Sequence, residues 1–126
     1  MFDVVEKPAH YNQQPIECIK FTENMNFCIG NAFKYVWRHK QKNGVEDLKK
    51  SRWYIERQWG ITQNAKPPVE LPYSKFLNLK NSLSDCDFNK EQHTILQLLW
   101  KAQFSNNCVE LKEALMLVIT EIENNS

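Results

Sequence analysis

Glycine is scarce in this chain: of 126 residues only Gly30, Gly44 and Gly60 are glycines. Spaced so widely, they form neither a GxxxxGK[ST] loop nor a GxGxxG turn, which excludes two common ways of cradling nucleotide phosphates on backbone N–H groups. An excess of one charge is also missing. Sixteen Lys and Arg face fifteen Asp and Glu, for a formal net charge of +1, so duplex nucleic acid, which calls for a broadly basic surface, is not an expected partner. Any anion site is therefore local. No apolar run approaches the roughly 18 to 20 residues that span a bilayer, and MFDVVEKPAHY carries acidic residues where a signal peptide is basic. The expectation is a cytoplasmic protein with no membrane partner. Cys18, Cys28, Cys86 and Cys108 contain no CxxC pair, and His10, His39 and His93 are scattered, so reduced thiols are expected and no zinc. Period-two alternation is absent as well, which points to an all-α fold.

What is present is helical periodicity. In GNAFKYVWRHKQKNGVEDLKKSRWYIER, residues 30 to 57, two helices are expected on either side of a turn at Asn43-Gly44. On the first, at about 100° per residue, Ile29, Ala32, Phe33, Val36 and Trp37 share one arc, and Asn31, Lys34, Tyr35 and Arg38 share the opposite one. A solvated helix face usually interleaves Glu with Lys. This polar arc has an amide, a phenol, an ammonium and a guanidinium but no carboxylate, so its complement is an anion. Asn24 or Asn26 caps the helix, and Gly30 reads as a close helix crossing or an approach point for a ligand.

On the second helix Val45, Leu48, Ile55 and Trp59 make an apolar stripe with Arg52 in its middle. An arginine so placed needs a buried partner, either a protein carboxylate (Asp47, Glu17 or Glu23) or a ligand phosphate. Trp53 lies instead among Glu46, Lys49, Lys50, Glu56 and Arg57, as a subunit contact, a stacking surface or the seat of a tail. Earlier in the chain, Pro8 keeps KPAHY extended, and Lys7, His10 and Tyr11 supply a cation, an imidazole and a phenol, or else the arm simply packs. A short helix is expected from Pro15 to Phe21.

Residues 61 to 73, ITQNAKPPVELPY, form a Pro-rich linker between a unit at 1 to 60 (arm plus three helices) and a tail at 74 to 126 of two to three helices. In the tail, a helix is expected from Ser74 to Leu83. A second carries Ile95, Leu98, Leu99 and Ala102, with Asn89 and Gln92 as a capping box. A third carries Leu111, Ala114, Leu115, Val118, Ile119 and Ile122.

Four motifs in order, KPAHY at 7 to 11, IECI at 16 to 19, GNAFKYVWR at 30 to 38 and NGVEDLKKSRWYIER at 43 to 57, resemble a small bacteriophage family. That family, long labelled as of unknown function, is also called SaV-like, and its best-known relative is the nucleotide kinase of a T-odd coliphage. The likeness falls on Lys7, Pro8, His10, Tyr11, Gly30, Asn31, Lys34, Tyr35, Trp37, Arg38, Asp47, Leu48, Lys50 and Trp53. It implies a homo-oligomeric phage protein, acting in the infected bacterial cytoplasm, that transfers phosphate to deoxynucleoside monophosphates without a P-loop, from ATP or another nucleotide and with magnesium.

Phosphoryl transfer rests on positioning and charge neutralisation. Lys34 and Arg38, one turn apart, would clamp a phosphate, joined by Lys7 and, from the second helix, by Lys50 and Arg52. Asn31 lies on the same arc. Asp47 would hold magnesium or activate the acceptor, His10 would shuttle a proton or carry phosphate, and Tyr11, Tyr35 and Trp53 would stack on a base. The alternative is a non-catalytic anti-defence protein that sequesters a nucleotide signal or binds a host defence protein. An all-α pyrophosphohydrolase fits less well, since Glu110 with Glu113 gives one carboxylate pair and Glu121 with Glu123 does not complete a second. Single-stranded nucleic acid binding draws on KYVWRHKQK.

Overall fold

The computed structural model describes residues 14–62, 70–105 and 108–125. Among them every regular element is helical: α1 (Ile19–Thr22), α2 (Phe27–Arg38), a 3₁₀ turn (His39–Gln41), α3 (Val45–Thr62), α4 (Tyr73–Ser84), α5 (Lys90–Gln103) and α6 (Val109–Asn124). The all-α class is as the missing alternation predicts. Helix α2 packs on α3, α3 on α6, α6 on α5 and α5 back on α2, while α1 lies on α2 and α4 on α5. Helices on both sides of the Pro-rich segment thus build one core, and α3 runs through residues 61 and 62 of that segment.

Helix α2 starts where Asn26 accepts the Ile29 N–H at 2.8 Å, and it buries Ile29, Ala32, Phe33, Val36 and Trp37 as its periodicity requires. It ends in the 3₁₀ turn, and Gly44 follows at φ +57°, the left-handed conformation that an Asn-Gly turn supplies without a Cβ penalty. The centre of the core is aromatic. Phe21 is fully buried and lies 5.4 to 5.7 Å from the rings of Phe33, Trp37 and Trp100, distances at which ring pairs add to simple burial.

Helix α2 is fastened to its neighbours by buried polar groups at three levels. At its start, the Asn26 N–H donates to Gln103 Oε1 of α5 at 2.8 Å. At its middle, Ser51 Oγ of α3 donates to the Ala32 carbonyl at 3.1 Å. At its end, Gln92 Nε2 of α5 donates to the carbonyls of Val36 at 2.9 Å and Trp37 at 3.2 Å. Helices α2 and α5 are therefore antiparallel, with a glutamine of α5 at each end of α2.

Four expectations need correction. Helix α1 begins at Ile19, not Pro15, because the Gln14 side chain is tied by two hydrogen bonds to the Asp87 backbone (3.0 and 2.6 Å), which holds residues 14 to 16 in a bend. Gly30 is no tight crossing, since a Cβ there would meet Met25 Cβ at an ordinary 3.5 Å. The close approach to α3 occurs two residues on, at Ala32 and Ser51. The buried stripe of α3 is centred on Ser51, flanked by Leu48 and Ile55. Arg52 consequently points outward and pairs with Glu56 one turn on, at 3.2 Å, both side chains more than 40% exposed. Lastly, Asn89 caps α5 by accepting the Gln92 N–H at 2.8 Å, but the Gln92 amide does not close a capping box. It is drawn to the C-terminal carbonyls of α2, which lack helical partners of their own.

Candidate anion-binding face on α2 and α3

Antiparallel packing of α2 and α3 sets two rows of side chains side by side. From α2 come Phe27, Asn31, Lys34, Tyr35 and Arg38, and from α3 come Lys50, Trp53, Tyr54 and Arg57. Both rows follow the i, i+3/i+4 spacing of one helix face. Their direction is fixed by Phe27 meeting Tyr54 near one end, with ring centroids at 5.8 Å, and by Arg38 meeting Asp47 near the other.

Tyr35 is the meeting point. Its ring stacks on Tyr54 at 6.0 Å and 16°. Lys34 Nζ lies 4.6 Å, Arg38 Cζ 4.8 Å and Lys50 Nζ 5.5 Å from its centroid. Each cation is held by the ring's negative face, and the three are thereby gathered against mutual repulsion. Among the described residues no carboxylate lies within ion-pair distance of Lys34, Lys50 or Arg57, and none occurs in α2 at all.

Arg38 differs. Its Nε donates to Asp47 Oδ2 and its Nη2 to Oδ1, both at 3.3 Å, in a forked ion pair. The same Oδ2 accepts the Asn43 N–H at 3.2 Å, and Asp47 is fully buried. Asp47 is thus the counter-ion of Arg38 beneath the face and a tie to the Asn43 N–H of the turn that precedes α3. With both oxygens turned inward, it does not fit a magnesium ligand or a base for an acceptor hydroxyl. Among the described residues no group of three or more His, Cys, Asp and Glu side chains is arranged to hold a metal ion.

Of the other residues singled out in the sequence, Asn31 sends its Nδ2 back to the Phe27 carbonyl at 2.8 Å. It lines a hollow of about 270 Å³ with Thr22, Met25, Phe27, Gly30 and Lys34. Trp53 is 57% exposed and meets Tyr54 edge-on at 5.1 Å, so no described part of the tail covers it. Arg52 turns away to Glu56. Lys7, His10 and Tyr11 lie outside the described residues.

Three members of the face were missed from the sequence: Phe27, Tyr54 and Arg57. Lys50, Trp53, Tyr54 and Arg57 stand at i, i+3, i+4 and i+7, and that spacing was a usable signal. Beneath the face, burial pushes the Cys18 thiol up to about 12, with nearby Lys34 opposing and Cys86 adding to the rise. Cys28 is also raised by burial, with Arg57 opposing it. Both stay protonated at neutral pH, and Cys18 packs against the core.

Residues 5–56 match a family described as a protein of unknown function (DUF3310). The match contains all of α2 and α3 as far as Glu56, and with them every member of the face but Arg57. Over that stretch the chain is similar to a small uncharacterised family. No curated protein and no solved structure matches it. Among the described residues no helix is long and apolar enough to cross a membrane.

Proposed function

We propose that the α2–α3 face binds a nucleotide, with the phosphate at Lys34 and Lys50 and the base on an exposed ring. The observation that carries this reading is the convergence of three cations on Tyr35, of which Lys34 and Lys50 have no carboxylate within ion-pair distance among the described residues. Lys34 and Lys50 act as point charges, while Arg38, already forked onto Asp47, supports the field from behind. Stacking of a base on a ring adds about 1 to 3 kcal/mol. The resemblance to the phage SaV-like family extends the reading to a homo-oligomeric phage protein that transfers phosphate from ATP to deoxynucleoside monophosphates. Lys7, His10 and Tyr11 of the arm belong to that extension.

The inward-turned Asp47 favours a second reading, in which the face sequesters a nucleotide and performs no chemistry on it. Calorimetric titration with deoxynucleoside monophosphates, followed by incubation with ATP and magnesium, tests both. Binding that weakens at least tenfold in a Lys34→Ala/Lys50→Ala double variant supports the site. Turnover selects the kinase and its absence the sequestering protein. A wild-type protein that binds no nucleotide removes both.

A further inference from the structure

The face is longer than one nucleotide needs. From Phe27 to Arg38 it extends eleven residues along α2, about 16 Å at 1.5 Å per residue. Its rings divide into two kinds. Tyr35 and Tyr54 are stacked on each other, and Tyr35 is ringed by cations. Phe27 and Trp53 remain open, at 73% and 57% exposure. Each touches Tyr54 near the perpendicular, at 72° and 86°, so neither is stacked upon it. Two separate open rings are more than a single base can use.

Charge identifies what spans them. Lys34 flanks the hollow beside Phe27, Lys50 stands one turn from Trp53, and Arg57 lies close enough to α2 to act on Cys28. A second copy of this chain, docked symmetrically, would bring these cations close to their own equivalents, and the exposed acid one turn before Lys50, Glu46, is already paired with Lys49 at 3.5 Å. A duplex hides its base faces in the stack. An unpaired strand offers both things the face lacks: anionic linkages and bases free to stack.

Resting on the nucleotide reading, we propose that the α2–α3 face takes two or more linked nucleotides at once, as a dinucleotide or a short single strand, with one base on Phe27, the next on Trp53 and the linking phosphate at Lys34 and Lys50.

Calorimetric titration with thymidine monophosphate, the dinucleotide d(TpT), a six-residue oligothymidylate, a short duplex and inorganic polyphosphate tests this. The expected result is a dinucleotide bound at least tenfold tighter than the mononucleotide, the six-residue strand bound at least as tightly as the dinucleotide, and duplex and polyphosphate bound more weakly than either. Phe27→Ala and Trp53→Ala, both at exposed positions and checked for folding by circular dichroism, should each leave one open ring and so bring the dinucleotide to within about threefold of the mononucleotide measured on the same variant. Equal affinity for mononucleotide and dinucleotide overturns the proposal and leaves the nucleotide reading standing. Absence of binding to any of them overturns both. Polyphosphate bound as tightly as d(TpT) overturns the proposal by showing that the bases contribute nothing. An advantage of d(TpT) that survives both alanine variants overturns the placement on Phe27 and Trp53.

Discussion

The two long sides of α2 use polar groups in opposite ways. On the side packed against α5, amides close on the helix ends: Gln103 takes the Asn26 N–H and Gln92 caps the Val36 and Trp37 carbonyls, all buried and neutral. On the side shared with α3, Arg38 and Asp47 close one end of the seam, and outside it Lys34 and Lys50 gather round Tyr35 with no acid of their own. Groups that hold the helix are thus separate from groups able to meet a ligand. Because the fastening is done from behind and below, the outer row is not needed for folding.

Removing Asp47 should break this arrangement most severely. Asp47→Ala leaves Arg38 without its counter-ion and the Asn43 N–H without an acceptor, and should cost about 3 kcal/mol in urea unfolding. A loss below about 1 kcal/mol would mean that the seam does not depend on the pair. Next, Gln92→Leu and Gln103→Leu should each cost about 1 to 2 kcal/mol, the expense of stranding buried backbone groups. If these changes are neutral, the α5 side of the comparison is packing alone.

A smaller effect is expected from His39, whose ring lies 2.8 Å from the Val36 carbonyl and must present an Nδ1–H to it. Burial pushes its pKa below the ordinary 6.5, with the Val36 hydrogen bond opposing and Lys40 adding to the fall. The folded state therefore favours the neutral ring, and this contribution is complete above about pH 6.5 and lost as pH falls through the folded value. Urea midpoints between pH 7.5 and 5.5 should decline more steeply for the wild type than for His39→Asn, and equal slopes would refute the assignment. Smallest of all should be the stability change in Lys34→Ala and Lys50→Ala, within about 0.5 kcal/mol. A larger loss would place these lysines among the fastenings.

The hairpin was legible in advance wherever local rules sufficed. The Asn26 cap, the buried arc from Ile29 to Trp37 and the Gly44 turn follow from period, capping chemistry and the freedom of a residue without Cβ. The acid-free arc of α2 could be seen too, since it is a property of one helix. Asp47 stands out in the sequence for its charge, but its ion pair does not. Its partner is Arg38, nine residues back, and the two meet only because the Gly44 turn folds α3 along α2. Arg52 erred for a related reason: a rotation of α3 that centres Ser51 on Ala32 swings Arg52 out to Glu56. Phe27 and Tyr54 join the face through a contact across 27 residues that neither helix displays alone.

The chain by itself determined where its helices run, which arc of α2 is apolar and that the opposite arc carries cations without acids, because these depend on neighbours three or four residues apart. Tertiary packing alone decided which cations are neutralised and which stay available. Ion pairing acts through space at a few ångströms, so the fate of Arg38, Lys34 and Lys50 was set by how α3 lies along α2, and no spacing within either helix contains that.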